Sequence, residues 1–472
     1  MGRRRMGRTV IKWYLHTQLD LEKEGISMSQ YMRVLWAMFY KFLGAGLVFV
    51  TAVMTANYVG PAGRGFLSSM TANLAMYSPV VGSFSEYIPY GINKRKQQPS
   101  EVFTTVLYYC FVFVLILFAA ALLATPFFWH DLINLVPSKA MTWWIAGMIG
   151  PFALFHVCVT RLILGLNELE WLNRLNTLQS LLAIPLFFLA LTLPDEQNEK
   201  VVWAMFAWLA SYVVTASISA VVAVKKGKVS LVPKPVQDLR TEIFKYGNQL
   251  AGSRLLTQLN YRVDYFFVLY MISVEAAGIY SVAVTVADML LFVSMSLLQV
   301  VVTRVSALEE KDSSLLTART FRHTVVILLF SLIFFYLVMP SVIILAFKED
   351  FATALTPFYI LLPGVAMLGL AQVLTNFFTN QLGQPKVLIR LEMISIFTNI
   401  ILSFLFFGVF HMGAEGMALA KTSGFAIIFL IAIIYFCRAT GYPFWKMFVL
   451  QEDEIQQYKN LFGKVTGKLR GK

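Results

Sequence analysis

Thr324-Val-Val-Ile-Leu-Leu-Phe-Ser-Leu-Ile-Phe-Phe-Tyr-Leu-Val-Met-Pro-Ser-Val-Ile-Ile-Leu-Ala-Phe347 runs without a charged side chain. A helix needs about 20 mostly apolar residues to cross roughly 30 Å of hydrocarbon, and this stretch has both the length and the composition. Working outward, similar segments lie near 34–57, 66–91, 102–125, 141–164, 175–193, 201–223, 246–271, 276–303, 355–378, 389–410 and 415–437. The chain therefore reads as an all-α integral membrane protein of about 12 transmembrane helices.

The polar connections are short and their charge is one-sided. With Met1 inside, 31 of the 39 Lys and Arg fall at inner ends or inner loops, against Arg64, Lys139, Lys200 and Lys348 outside. Such asymmetry over short loops orients a membrane protein with its basic side in the cytoplasm, so both termini are expected there. Lys41, Arg254, Arg262 and Lys421 fall inside the spans and outside this rule.

Composition agrees: 58% of residues are hydrophobic and 14% charged, where soluble domains carry about 25% charge. The net charge of +13 sits in runs such as Lys94-Arg95-Lys96, Lys225-Lys226 with Lys228, and Lys464 to Lys472. Beside a bilayer these meet anionic headgroups, and no nucleic-acid partner is expected. Cys110, Cys158 and Cys437 lie in or at the edge of spans, unclustered in sequence, which suggests neither a disulfide framework nor a zinc site. Residues 1–33 are polar and basic without an apolar core or cleavage site, so they read as a cytoplasmic segment that is retained. His16, His130, His156, His323 and His411 form no metal spacing, and no GxxxxGK[ST] loop is present. The largest outer loop, Phe127–Ala140, is too short to hold an enzyme's site. No metal, cofactor or catalytic residue is expected.

The longest inner connection, 225–245, carries Pro233 and Pro235 and divides the spans six and six. The expected organisation is a first lobe over 34–224, a linker, a second lobe over 246–437 and a basic tail over 438–472. An even number of crossings per half makes the halves parallel repeats about an axis along the membrane normal. A faint internal match supports this. Tyr58-Val-Gly-Pro-Ala-Gly-Arg-Gly65-Phe-Leu-Ser68 resembles Met271-Ile-Ser-Val-Glu-Ala-Ala-Gly278-Ile-Tyr-Ser281, and pairing Gly65 with Gly278 sets Lys41 against Arg254. Pro89, in Tyr87-Ile-Pro89-Tyr90, and Pro363, in Leu362-Pro363-Gly364, are expected to kink their spans.

The seventh span is the least lipid-like. Gly247-Asn-Gln-Leu-Ala-Gly-Ser-Arg254-Leu-Leu-Thr-Gln258-Leu-Asn260-Tyr-Arg262-Val-Asp264 puts Arg254, Gln258 and Arg262 on one stripe, with Asn260 and Asp264 on another face. A helix polar on two faces borders a water-filled cavity and bonds to a neighbouring helix. Arginine suits phosphate, because its planar fork holds two oxygens. Spans seven and eight form a tight hairpin around Ser273, which brings Asp288 opposite about Gln258 and within about a turn of Arg254 and Arg262. Charge within a span is costly, so this reads either as a structural ion pair or as one that breaks during transport. Glu86 either reaches the inner interface or joins the site. For Lys41 and Lys421 the alternatives are snorkelling and cavity lining.

Asn260-Tyr-Arg-Val-Asp264, followed by Ala277-Gly-Ile-Tyr-Ser-Val-Ala283 and Asp288, resembles the seventh-to-eighth span pattern of bacterial polysaccharide-transport flippases. These belong to the multidrug/oligosaccharidyl-lipid/polysaccharide exporter superfamily. Leu361-Leu-Pro-Gly-Val365, the turn Gly383-Gln-Pro-Lys386 and Gly413-Ala-Glu-Gly-Met-Ala-Leu-Ala420 are similar to later segments of that family. Lys421 departs from it, since a small or weakly polar residue is expected there. The resemblance implies two pseudo-symmetric six-helix lobes around a central cavity that opens alternately inward and outward. It further implies translocation of a polyprenyl diphosphate-linked oligosaccharide from the inner to the outer leaflet of the bacterial plasma membrane. Lys41, Arg254, Arg262 and Lys421 would then be substrate-binding cations. Glu86, Gln258, Asn260, Asp264 and Asp288 would be their partners or couple transport to H+ or Na+. A monomer is expected. The competing readings are an ion-coupled drug or cation antiporter of the same superfamily, and a membrane-embedded glycosyltransferase or polymerase.

Overall fold

The computed structural model describes residues 28–128, 139–305, 310–382, 384–452, 454–456 and 459. Every regular element among them is helical. In order these are α1 (Met28–Gly82), a 3-10 turn (Ser83–Glu86), α2 (Tyr87–Asn93), α3 (Pro99–Phe128), α4 (Lys139–Gly165), α5 (Leu169–Thr192), α6 (Gln197–Val222), α7 (Gln237–Phe267), α8 (Val274–Val305), α9 (Glu310–Phe347), α10 (Leu355–Asn376), α11 (Pro385–Gly408) and α12 (Ala414–Thr440).

Ten of the described segments are long and apolar enough to cross a membrane. One of them, Phe42–Asn93, has 52 residues, about 78 Å at 1.5 Å per residue, which is enough for two crossings. The break between them is Gly60, with φ 69° and ψ −178°, a conformation that glycine adopts without a Cβ penalty. Pro61 follows. No separate loop intervenes, and Arg64, expected in an outer loop, stands in the helix just past this break. α7, at 31 residues, is long enough to cross but too polar to qualify by composition. With it the expected twelve crossings are present.

The two halves meet as a repeat should. Gly60 and Ser273 are equivalent positions, and both interrupt helices: Ser273 is extended, φ −170°, between a π-turn ending α7 and the start of α8. A Cβ placed on Gly65 would run into the carbonyl oxygen of Val274, and one on Gly278 into that of Pro61. Pro61 and Val274 are themselves repeat equivalents. Such reciprocal contact, each residue touching its partner's equivalent, is what a two-fold axis between elements produces. Only glycine lets the backbones of α1 and α8 approach so closely.

Packing differs along the length of the helices. Call the side carrying Lys94-Arg95-Lys96 and Lys225-Lys226 the basic end. Away from it, residues of both halves form one continuous core, including Ala56, Phe66 and Met205 with Tyr280, Phe358 and Phe425. At the basic end there are two cores. One gathers Phe84, Tyr87, Phe103 and Leu162; the other gathers Phe321, Phe377, Leu391 and Phe436. Leu239 and Ile243, at the start of α7, belong to the first of these. α7 therefore ties the halves together, since its sequence neighbours belong to the second.

The expected proline irregularities take different forms. A 3-10 turn precedes α2, which holds Pro89 in its first turn. Pro363 lies inside an unbroken α10, where the Thr422 hydroxyl donates to the Ile360 carbonyl at 2.8 Å. A neighbouring helix thus satisfies a carbonyl one turn before the proline. Part of the expected tail also folds back. Arg322 donates to both oxygens of Glu454 from Nε, at 3.1 and 2.8 Å, and Met447, the last residue of the turn Phe444–Met447, is buried. Burial alone would raise the Glu454 carboxyl, but Arg322 and the backbone N–H of Gln451 hold it below the ordinary glutamate value.

Candidate functional site

α7 starts at Gln237, just after the two prolines of the linker, with Asp238 in its first turn, where the helix dipole favours a negative charge. Its two polar faces have different fates. Asn260 and Asp264 are buried, whereas Arg254 is exposed and Gln258 and Arg262 are half-buried.

The buried face is a lock. Lys421 on α12 places its ammonium 3.1 Å from Asp264 Oδ2, with side-chain exposures of 1% and 0%. The same ammonium donates to the Tyr261 carbonyl at 3.1 Å, and Tyr280 of α8 donates its hydroxyl to Asp264 Oδ2 at 2.5 Å. Three helices thus close on one carboxylate. Lys421 neither snorkels nor lines open space, because its short path to Asp264 and Tyr261 lies inside the packed second half. Four residues earlier, Asn260 donates to Glu392 Oε2 at 2.6 Å and accepts from the Ser395 hydroxyl at 2.8 Å. α7 is thereby also bonded to α11.

The open face is less satisfied. Arg254 donates to Glu86 Oε1 at 3.1 Å, and Arg161 of α4 donates to the same oxygen at 2.6 Å. The Arg254 and Glu86 side chains are 48% and 20% exposed. Glu86 is thus a bridge between α4 and α7 rather than a residue reaching for the interface. Nearby, Ser83 donates to the Gly247 carbonyl at 2.9 Å. Arg262 keeps its buried Nε without a hydrogen-bond partner. Asp288 interacts electrostatically with Lys421, Arg262 and Asp264. Arg254, expected near Asp288, pairs instead with Glu86, because α7 leans on the first half at that level. Lys41 lies on α1, and its side chain is outside the described residues.

Several residues of this arrangement were not singled out from sequence. Glu392 is the acid of the expected eleventh span, near its basic end. Arg161 was counted with the inner-end cations. Tyr280 lies in the Ala277–Ala283 motif, whose sequence carries no signal of its role. Arg64 was assigned to a loop, yet its Nε donates to Ser281 at 3.3 Å and its Nη1 to Thr55 at 2.8 Å. Cys110 and Cys158, unclustered in sequence, face each other with sulfurs 3.5 Å apart as free thiols. They border an apolar cavity of about 350 Å³ between α3 and α4. Among the described residues no group of three or more His, Cys, Asp or Glu could hold a metal ion.

Comparison with known proteins agrees with this architecture. No curated protein sequence matches the chain. Among solved structures, the lipid II flippase MurJ in an inward closed conformation superposes with a TM-score of 0.67 at 13% identity, covering 88% of this chain and 89% of that one. An outward-facing multidrug resistance MATE family transporter of the MOP superfamily gives 0.65 at 14% identity, covering 87% and 95%. An inward-facing conformation of such a transporter gives 0.63 at 14%, covering 86% and 94%. These likenesses establish the fold. Residues 32–309 match the family described as polysaccharide biosynthesis protein, and the chain belongs to that family.

Proposed function

We propose that the chain moves a polyprenyl diphosphate-linked oligosaccharide from the inner to the outer leaflet of the bacterial plasma membrane, by alternating access, to supply polysaccharide synthesis. The observation that carries this reading is the accessible stripe Arg254–Gln258–Arg262 on the helix that joins the two halves. A guanidinium fork is matched to phosphate oxygens, and a cation kept in a membrane protein without a full complement of acids needs a reason. The lobes would be 34–224 and 246–437, moving about the crossing of α1 and α8, with both termini in the cytoplasm and a monomer as the working unit. Asp264, Asp288 and Glu392 are the carboxylates available for coupling to H+ or Na+.

The test is loss of the gene product followed by analysis of lipid-linked glycans. Accumulation of a polyprenyl diphosphate glycan in the inner leaflet is the expected result. Unchanged glycans with altered drug tolerance would instead favour an ion-coupled antiporter. One observation speaks for that second reading: three carboxylates gather in the second half, two of them, Asp264 and Glu392, almost fully buried.

A further inference from the structure

The cavity between α3 and α4 has an ordered shape. Its wall residues recur at helical spacing from Leu107 to Phe118 on α3 and from Gly147 to Cys158 on α4, so two apolar stripes face each other. Space remains between them because Cys110, Gly147, Pro151 and Cys158 put small side chains into the walls. Each stripe advances eleven residues, about 16 Å along the helix axis and roughly half of the ~30 Å hydrocarbon thickness. The rim is apolar too, with Phe111, Leu115 and Met148 exposed. At the basic end the cavity is bounded by Leu231 and Pro233. These belong to Val229-Ser-Leu-Val-Pro233, an apolar stretch in an otherwise charged linker. Val229 is buried in the first half's core, and the Val236 N–H donates to the Thr105 hydroxyl at 3.0 Å. Both sides of the stretch are therefore anchored to the first half.

We propose that this cavity binds one acyl chain of an anionic phospholipid from the leaflet at the basic end, with the headgroup against Lys234 and Arg240. Lys234 directly follows Pro233 and is exposed. The Arg240 guanidinium stands over the Tyr108 ring, 6.0 Å from its centroid, a turn before Phe111 on α3. The neighbouring acid Glu242 is taken by Arg95 at 3.0 Å. Lys234 and Arg240 are thus exposed cations without an ion pair among the described residues. Basic groups at the membrane surface attract anionic headgroups, and a cavity of half the hydrocarbon thickness suits a chain that starts at that surface. The site lies apart from any transported substrate: its walls come from α3, α4 and the linker, and none from the second half. A bound chain would fasten the linker, and with it the start of α7, to the first half.

The experiment uses the full chain in nanodiscs of neutral phosphatidylcholine that carry a trace of phospholipid with a photoreactive diazirine in its acyl chain. Phosphatidylglycerol and phosphatidylcholine versions of this probe are compared, and labelled residues are mapped by mass spectrometry. Wild type is expected to take the phosphatidylglycerol label on residues 107–118 and 147–158, in preference to the phosphatidylcholine label. Lys234→Gln and Arg240→Gln are each expected to lower that labelling about fivefold, the worth of one cation near the surface. Arg240→Lys should retain it, and the phosphatidylcholine label should not change. Met148→Trp, which fills the rim, is expected to remove the label from the cavity. Labelling there that is indifferent to the headgroup would mean that any bilayer chain enters, and would overturn the site. Displacement by unlabelled farnesyl diphosphate but not by unlabelled phosphatidylglycerol would assign the cavity to a polyprenyl chain and overturn the phospholipid as its occupant. Should a variant not fold, the wild type decides. Raising unlabelled phosphatidylglycerol at constant total lipid must displace the label, and an unchanged label refutes the proposal.

Discussion

Phe49 of α1 and Arg262 of α7 hold equivalent places in the repeat, and they behave oppositely. Phe49 packs its ring edge-on against Phe347, centroids 5.7 Å apart; Arg262 keeps a buried donor unpaired. The contrast continues along both helices. Leu47 stands opposite Asn260, and Thr51, whose hydroxyl donates to the Val48 carbonyl of its own helix, stands opposite Asp264. The two halves share one architecture, and the close crossing at Gly65 and Gly278 keeps its two-fold geometry. The chemistry sits on one of them. The first half's opening helix is held by apolar contact and, at its far end, by Asn57 donating to the Ala346 carbonyl at 2.7 Å, while the second half's is held by charge and hydrogen bonds on one face and left open on the other. Exchanging residues between these helices is the direct way to break that contrast.

The largest effect is expected from Asp264→Thr, which installs the residue of α1. It leaves the Lys421 ammonium buried without its counter-ion and the Tyr280 hydroxyl without its acceptor. Breaking a buried pair from one side costs about 3–5 kcal/mol, to be read as a fall in thermal stability of the purified protein. Adding Lys421→Met should recover most of the loss, because two apolar groups replace two charges. A single variant as stable as wild type would mean that packing, not the ion pair, fixes α7.

Gly65→Ala and Gly278→Ala probe the feature that the halves share. Each forces the α1–α8 backbones apart, at about 1–3 kcal/mol for overpacking. The reciprocal geometry predicts equal penalties. Clearly unequal ones would show that the two-fold crossing is strained on one side. Asn260→Leu, again the α1 residue, is expected to cost a similar or slightly smaller amount, about 1–3 kcal/mol, because Glu392 loses its amide donor in a buried setting. Here Glu392→Leu in the same chain should restore stability.

How much of this was legible follows from what each residue signals. Twelve crossings, the hairpin at Ser273 and the repeat offset were readable because hydropathy and small-residue spacing are local. The division of α7 into two polar faces was readable from its i, i+4 spacing. Which partner each charge takes was not. Arg254 meets Glu86 and Arg161 because α7 packs into the first half's core through Leu239 and Ile243, a contact between distant segments. Lys421 finds Asp264 because α12 lies against α7, which no spacing encodes. Arg64 was misplaced because a lone Gly-Pro break looks, in sequence, like a loop between spans.

The smallest effect tests the carboxylate through which the first half reaches Arg254 of α7. Glu86→Gln removes the carboxylate shared by Arg161 and Arg254 while keeping its shape. Both arginines are partly exposed, so solvent screening limits the pair to about 0.2–1 kcal/mol. That suffices to shift a balance, because the basic end has separate cores and no continuous apolar contact across it. The reporter is a cysteine at position 83, where the native Ser83 is buried and donates to Gly247. In the Ser83→Cys background, Glu86→Gln should raise the rate of modification by a membrane-impermeant maleimide roughly 1.5- to 5-fold. High salt should raise it in the same background without the second change, by screening the same pair. An unchanged rate under both conditions would mean that Phe84 against Gly247 holds the basic end closed by packing alone. The Glu86 bridge would then add nothing to the hold that the first half already has on α7 through Leu239, Ile243 and the Arg95–Glu242 pair.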